Sequence, residues 1–237
     1  MSHILFIPGL LCTKAIFEAQ FDAFDGIASC HVADTTGRDN ITAMAQAALD
    51  EMSDKNITEF AVLGFSMGGY VALEILRLAP QRITGLALVS TSSRPDTDEK
   101  REARQALIEL SKIGKFKGVT PRLLPRFFSP TSLQDETKTA IVLKMGAEIG
   151  QENFMHQQAA IMSRIDQRPH LGQITQPSVV ICGTEDVLTP PEESQESASL
   201  LPNAQLHLLD GIAHMSTLEA PEAVNEALLA WHSRIAP

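Results

Sequence analysis

A short apolar run, a glycine-rich turn and an apolar helical segment follow one another without a spacer between residues 59 and 80. The apolar run, from Phe60 to Leu63, is typical of a strand that is buried on both faces of a parallel sheet. The turn is Gly-Phe-Ser-Met-Gly, and the segment from Tyr70 to Ala79 predicts a helix that ends at Pro80. A buried strand that enters a helix through one tight turn predicts a sheet with helices packed against it.

Ser66 lies at the centre of this G-x-S-x-G turn, where the backbone must bend sharply. Gly64 and Gly68 carry no β-carbon that would clash with the bend. The bend lifts the serine hydroxyl clear of the carboxyl edge of the sheet and places it at a helix N-terminus. Free N–H groups and the helix dipole can stabilise an anion there. The pattern predicts a nucleophile elbow with Ser66 as the catalytic nucleophile.

Strand-like and helix-like segments alternate through the first ninety or so residues. The predicted strands are 3–7, 29–33, 60–63 and 83–89, and the predicted helices lie within 13–24, 41–52 and 70–79. This alternation predicts a parallel sheet with helices on both faces.

The pattern changes after Ser90, because no strand is evident between Ser90 and Pro177. Helices are predicted at 94–114, 132–149 and 152–165, with an aromatic, proline-bounded break at 125–130. The strands 178–182 and 205–209 and the helices 191–200 and 220–235 complete the chain. We therefore predict an α/β core formed by residues 1–93 and 171–237, with an inserted helical lid of residues 94–170 over the carboxyl edge.

Composition narrows the class of protein further. The 237 residues are 44% hydrophobic and 20% charged, which suits one globular domain with room for an inserted subdomain. A formal net charge of −10 without a basic run argues against nucleic-acid or anionic-membrane partners. No signal peptide or membrane span is evident, so we expect a cytoplasmic protein. Cys12, Cys30 and Cys182 are expected to be free thiols, and we expect no metal and no organic cofactor.

A catalytic serine needs a base, and the base needs an acidic residue that orients it. After a nucleophile elbow these partners follow in the order acid, then histidine. His214 follows the last predicted strand and precedes the last helix, which places it at the same sheet edge as Ser66. His207 lies within the last predicted strand, where apolar and polar residues alternate, and His232 lies in the last helix, so neither is at that sheet edge. We therefore predict His214 as the base.

The acid should follow the penultimate strand, where Asp186 is the best candidate and Glu185 the local competitor. Asp210 is nearer to His214 in sequence, but a turn with Gly211 explains it better. For the oxyanion hole we predict the backbone N–H groups of Met67 and Leu10.

Four segments resemble the small, lid-bearing enzymes of the α/β-hydrolase superfamily: IPGLLC, GFSMGGYVALE, ICGTEDVLTPPE and GIAHMSTLEAPE. The resemblance implies an α/β-hydrolase fold with a mostly parallel sheet of about six strands. Many relatives carry His-Gly where this chain has Pro8-Gly9. Relatives also often begin with an extra hairpin, whereas this chain starts at about the third strand, so we expect a bare sheet edge on the N-terminal side.

The expected activity is hydrolysis of a carboxylic ester or lactone with a small to medium apolar acyl group, through an acyl-enzyme. The alternatives are a thioester, amide or C–C bond hydrolase, a cofactor-free perhydrolase, and a non-catalytic small-molecule receptor that keeps the fold. Monomer and dimer both remain open. We expect an apolar substrate pocket, and the predicted contacts are Leu11, Phe17, Phe127, Phe128, Phe154 and Met215. We expect the basic residues Arg122, Arg126 and Arg164 to be solvated rather than to bind a carboxylate.

Overall fold

The computed structural model describes residues 2–113 and 115–235. Within them, six parallel strands form one sheet in the order β2-β1-β3-β4-β5-β6. The strands are β1 (Ser2–Ile7), β2 (Ala28–Val32), β3 (Phe60–Phe65), β4 (Ile83–Val89), β5 (Ser178–Gly183) and β6 (Ala204–Leu209). The predicted α/β-hydrolase sheet is confirmed. Its edge on the N-terminal side is β2, because β1 lies between β2 and β3.

The described residues also form nine α-helices and four short 3₁₀ helices. The α-helices are α1 (Glu18–Phe24), α2 (Ile41–Asp54), α3 (Met67–Leu78), α4 (Asp98–Ser111), α5 (Glu136–Ser163), α6 (Arg168–Leu171), α7 (Pro191–Leu200), α8 (Ser216–Glu219) and α9 (Pro221–Ser233). The 3₁₀ helices are Lys14–Phe17, Pro80–Arg82, Pro121–Arg126 and Ser132–Gln134. The short helices α6 and α8 were not predicted, since four residues are too few for a helical period to be recognised.

Two apolar layers bury both faces of the central strands. Successive residues of a strand point to opposite faces. Leu5 and Ile7 therefore join a layer with α2 and α3, while Ile4 and Phe6 join a layer with α1 and α9. Because both faces are covered, β3 is buried along its whole length, which explains its unbroken apolar sequence.

The segment between β4 and β5 contributes helices and turns, and no strand, to the part of the chain that is described. Its main element is α5, whose apolar residues join both layers and whose Gln157 contacts the loops that follow β1 and β2. Two helices were predicted here, and Gly150 (φ 77°, ψ 175°) does interrupt the helical backbone between them. In the predicted break at 125–130, residues 127–130 are non-helical, while its first two residues close the 3₁₀ helix Pro121–Arg126.

Candidate active site

The turn after β3 is shaped by glycines that no other residue could replace. A β-carbon on Gly64 would lie 2.3 Å from the Gly68 carbonyl oxygen, and one on Gly68 would lie 1.9 Å from the Ile7 carbonyl oxygen. The strand, the helix and β1 can approach this closely only because both β-carbons are absent. Ser66 sits at the bend with φ 52° and ψ −116°, a strained conformation for a residue with a side chain.

Hydrogen bonds hold this bend against the neighbouring strand. The Ser66 N–H donates to the Val89 carbonyl at 3.0 Å. The Thr91 hydroxyl donates to the Ser66 carbonyl at 2.7 Å. Thr91 comes two residues after β4, so two adjacent strand ends fix the serine together.

His214 reaches both predicted partners across the sheet edge. Its Nε2 lies 3.0 Å from Ser66 Oγ, and its Nδ1 lies 2.8 Å from Asp186 Oδ2. Both residues are almost fully buried, with 4% of His214 and 2% of Asp186 exposed. A carboxylate accepts only, so Nδ1 carries the proton and Nε2 is free to accept one from the serine.

Asp186 is held by donors from its own loop. Its Oδ1 accepts the N–H groups of Leu188 and Thr189 at 2.9 and 3.0 Å, and its Oδ2 accepts the Thr189 hydroxyl at 2.8 Å. Burial opposes ionisation of this carboxyl. The neighbouring His214 and the hydrogen bonds from His214 and Thr189 outweigh burial and hold the pKa of Asp186 below its usual value. The carboxylate therefore stays charged beside the imidazole.

The competing acids lie elsewhere. Glu185 and Asp210 are both exposed. The Glu185 N–H donates to the Ile212 carbonyl, and Asp210 Oδ1 lies 3.4 Å from the Thr184 hydroxyl, which also accepts the Gly211 N–H. Both residues thus support the turn after β6 rather than the imidazole.

The loop after β1 packs directly on the bend. A β-carbon on Gly9 would lie 3.0 Å from Phe65 Cδ1 and 3.2 Å from Ser66 Cβ. This brings the backbone of Leu10 beside the serine. Neither the Leu10 N–H nor the Met67 N–H, the first of α3, donates a hydrogen bond within residues 2–113 and 115–235. Free backbone N–H groups next to a nucleophilic serine can bind an oxyanion.

Comparison with known proteins shows which family this chain resembles. A family described as serine aminopeptidase, S33, matches residues 31–221. RutD of Agrobacterium fabrum, which carries the name carbamate hydrolase, is 29% identical over 197 residues, 81% of this chain and 74% of that protein. The pimeloyl-[acyl-carrier protein] methyl ester esterase of Photobacterium profundum is 26% identical over 253 residues, 96% of this chain and 93% of that protein.

A solved structure shares the fold of this chain. A thermophilic esterase from Thermogutta terrifontis superposes with a TM-score of 0.92 at 22% identity, covering 100% of this chain and 91% of that chain. The chain belongs to the serine aminopeptidase S33 family of α/β-hydrolases. It is an esterase-like enzyme with hydrolase activity.

The loop that carries His214 in this hydrolase is clamped on both sides of the histidine. The Ala213 N–H donates to Glu219 Oε1 at 3.1 Å, and the Met215 N–H donates to the Phe127 carbonyl at 3.1 Å. The second carboxylate oxygen of Glu219 accepts the Ser129 N–H at 2.8 Å. The sequence analysis did not predict a role for Glu219. The residue lies in the segment GIAHMSTLEAPE that also contains His214, and this proximity in sequence was the signal that could have pointed to it.

The predicted substrate contacts share one apolar layer, on the Phe65 side of the sheet. Phe17 is fully buried and packs against Phe6 and Phe65, at ring distances of 5.2 and 6.5 Å, so the hydrolase uses it as a core residue. Phe127 is the predicted contact that keeps partial exposure. The remaining four are buried: Leu11, Phe128, Phe154 and Met215.

The expectation for Arg164 was wrong, because its side chain is 5% exposed rather than solvated. Its Nη2 lies 2.8 Å from Asp96 Oδ1, an ion-pair distance although not a well-aligned hydrogen bond. Its guanidinium stacks 4.3 Å from the Tyr70 ring centre, and its Nε donates to the Arg94 carbonyl. Arg122 and Arg126 are exposed.

The three cysteines of this α/β-hydrolase are free. Burial raises the pKa of the thiols of Cys12, Cys30 and Cys182 to about 12, 11 and 12. All three are therefore protonated and poorly nucleophilic near neutral pH. Among the described residues no group of three or more His, Cys, Asp or Glu side chains could hold a metal ion. None of the helices in those residues is long and apolar enough to cross a membrane.

Proposed function

We propose that this enzyme hydrolyses a carboxylic ester or lactone with a small to medium apolar acyl group, with Ser66 as nucleophile, His214 as base and Asp186 as the orienting acid. The observation that carries the proposal is the 3.0 Å contact between Ser66 Oγ and His214 Nε2, with Asp186 on the other ring nitrogen. A serine in this contact can lose its proton as it attacks.

In the first step His214 accepts the Ser66 proton while the serine oxygen attacks the carbonyl carbon. The oxyanion that forms accepts hydrogen bonds from the Leu10 and Met67 N–H groups. A donor of this kind typically stabilises the transition state by about 2.7–4 kcal/mol. The protonated imidazole then donates to the leaving alkoxide oxygen, which departs as the alcohol and leaves the acyl group on Ser66.

In the second step water replaces the alcohol. His214 accepts a proton from this water, which attacks the acyl carbon and forms a second oxyanion in the same position. Collapse of this intermediate releases the carboxylic acid and returns the proton to Ser66. Asp186 remains ionised and stabilises the imidazolium in both steps.

We assign residues 94–170 the role of a lid over this site. Contacts between this segment and the catalytic loops support the assignment: Phe127 accepts the Met215 N–H, and Gln157 of α5 accepts the Leu11 N–H. Phe127 is partly exposed and packs against the apolar layer, which suits an apolar acyl group.

A carbamate is a second candidate substrate, because RutD of Agrobacterium fabrum carries that name. The same serine would attack the carbamate carbonyl. A panel of p-nitrophenyl esters of increasing acyl length, lactones and carbamates separates the two, and we expect the highest kcat/KM for a short or medium ester or lactone. A carbamate as the best substrate would replace the ester assignment.

The catalytic assignment is tested by labelling with a fluorophosphonate probe and by Ser66→Ala. We expect the probe to label Ser66, and Ser66→Ala to abolish p-nitrophenyl ester turnover without lowering the melting temperature. Ser199→Ala, at an exposed serine of α7, is the matched control and should behave as wild type. Turnover retained by Ser66→Ala would refute the assignment.

A further inference from the structure

Leu11 has a backbone conformation that leucine rarely adopts. Its φ is 58°, in the left-handed region. It belongs to a turn closed by the Cys12 N–H, which donates to the Gly9 carbonyl at 3.1 Å. A positive φ at the third position of such a turn reverses the direction of its central peptide, here the one between Leu10 and Leu11. A residue with a β-carbon keeps this conformation only where its surroundings enforce it.

Gln157 of α5 supplies that constraint. Its Oε1 accepts the Leu11 N–H, which belongs to the reversed peptide, at 2.9 Å. The side chain is fully buried, so the bond is shielded from water. A second contact from the same helix joins Met145 Sδ and the Thr13 N–H at 3.4 Å.

The orientation of the Gln157 amide is itself determined. Its Nε2 lies 3.4 Å from the Thr35 carbonyl oxygen and 3.3 Å from the Thr35 hydroxyl. A carbonyl can only accept, so the amide nitrogen must face Thr35 and the amide oxygen must face Leu11. The loops after β1 and β2 are thus joined to α5 through one buried side chain.

We propose that Gln157 is a positioning residue of the oxyanion hole. It holds the reversed Leu10–Leu11 peptide, and through it the neighbouring Gly9–Leu10 peptide, whose N–H faces the reacting carbonyl. When the Gln157 oxygen is removed, the strained turn can relax and displace that N–H from Ser66. A displacement of about 1 Å in such a site lowers the rate by about 100-fold. This inference rests on the proposed function, since it assigns a role within the same hydrolytic site.

The test replaces Gln157 with methionine, which has a similar volume but no strong hydrogen-bond acceptor. We expect kcat on the best ester to fall about 10- to 100-fold, because one oxyanion donor is misplaced. KM should change less than twofold, because the donor acts on the transition state rather than on bound substrate. A trifluoromethyl ketone analogue of that ester, which binds as a tetrahedral adduct, should lose affinity by a similar factor.

Gln158→Met is the matched control. Gln158 is the next residue of α5 and is 2% exposed, but its Oε1 accepts from Arg104 Nη1 at 2.9 Å. It has no part in the turn after β1, so its loss can lower stability but should leave kcat and the ketone affinity within twofold of wild type. Equal kcat values for the two variants would overturn the proposal.

Two further outcomes are informative. Should Gln157→Met fail to fold, Gln157→Asn takes its place, because it keeps the amide but withdraws it from Leu11 by one methylene. The same loss of kcat is expected, and a kcat equal to wild type would overturn the proposal. A wild-type protein without ester turnover and without Ser66 labelling would instead refute the proposed function. The two failures are therefore distinguishable.

Discussion

Left-handed backbone conformations occur beside the candidate triad at residues that are not glycine. Of the four such residues in the described part of the chain, Leu11, Ser66 and Ser90 follow β1, β3 and β4, with φ values of 58°, 52° and 47°, and the fourth, Asn56, precedes β3. Such conformations cost about 1–3 kcal/mol each and persist only where neighbours enforce them. Thr91 binds the Ser66 carbonyl and Gln157 binds the Leu11 N–H. Specific hydrogen bonds therefore hold these strained residues in place at the carboxyl edge of the sheet.

Also at the residue scale, we predict that the protein is destabilised when a glycine of the bend is replaced. In Gly68→Ala the new β-carbon would lie 1.9 Å from the Ile7 carbonyl oxygen, so β1 and α3 must separate. We expect a loss of at least about 3 kcal/mol in the free energy of unfolding, measured by urea denaturation.

Gly172→Ala is the control for that substitution. Gly172 has an ordinary helical φ of −62°, and a β-carbon there would meet nothing within 4 Å. We expect a change of less than about 1 kcal/mol, in the stabilising direction, because alanine restricts the unfolded chain. Equal midpoints for the two variants would contradict the close approach of β1 and α3.

At the scale of elements, the loop and helix between β6 and α9 connect the triad to the inserted segment. Glu219 closes α8 and bridges the N–H groups of Ala213 and Ser129 with its two oxygens. Ser216, at the start of α8, shares a buried hydroxyl contact of 2.9 Å with Ser90. The position of the imidazole therefore depends on neighbours on both sides of its loop.

We predict that Glu219→Ala lowers kcat about 10- to 100-fold, because buried N–H groups at Ala213 and Ser129 lose their acceptor and the His214 loop shifts. Steady-state kinetics on the best ester measures this, with the melting temperature recorded in parallel. Glu222→Ala, at an exposed position in the first turn of α9, is the matched control and should keep wild-type kcat. A Glu219→Ala variant with wild-type kcat would exclude the clamp as a determinant of catalysis.

At the scale of the whole molecule, buried contacts join the inserted segment to the core. The guanidinium of Arg164, from the insert, stacks 4.3 Å from the ring centre of Tyr70 in α3. Glu74 of α3 accepts a hydrogen bond from Gln167 at 3.0 Å, just before α6. These contacts form only when the insert is packed on the core. We therefore expect the insert and the core to unfold together.

Stability should fall as the pH is lowered from 7 to 5. Burial lowers the pKa of His31, with further contributions from Lys55 and His3 that outweigh Glu51, and burial also lowers the pKa of His232. Below the unfolded-state value of about 6.5 the unfolded chain therefore binds protons that the native state does not, which favours unfolding.

A second loss should follow below about pH 4.5, where carboxyl groups titrate in the unfolded chain. Burial opposes ionisation of Glu74, but hydrogen bonds from Arg77, Thr42 and Gln167 hold its pKa below the usual value. Interactions with His214 and Thr189 likewise outweigh burial and hold the pKa of Asp186 down. Stability from these groups is complete above their unfolded pKa values and is lost as the pH falls through the folded ones.

Thermal unfolding measured between about pH 8 and pH 2 tests both stages. His31→Gln and His232→Gln should each flatten the decline between pH 7 and pH 5. Gln205→Ala, at an exposed position of the edge strand β6 without a titratable side chain, is the control and should keep the wild-type slope. A melting temperature that stays constant over this range would contradict the predicted linkage.

The sequence by itself determined the alternation of strands and helices and the elbow at Ser66, because both are local patterns that a short window contains. His214 and Asp186 could be predicted too, since chain order and the ends of strands restrict where a partner can lie. The helices of the insert were also recognisable, including the break that Gly150 makes in α5.

The tertiary structure alone decided which distant side chains support these residues. The Leu11–Gln157 bond spans 146 positions and the Ser129–Glu219 bond spans 90. No sequence pattern marks Gln157 or Glu219 as the partner of a backbone N–H so far away in the chain. Arg164 looked like a surface residue for the same reason, since burial depends on what packs against a side chain after the chain has folded.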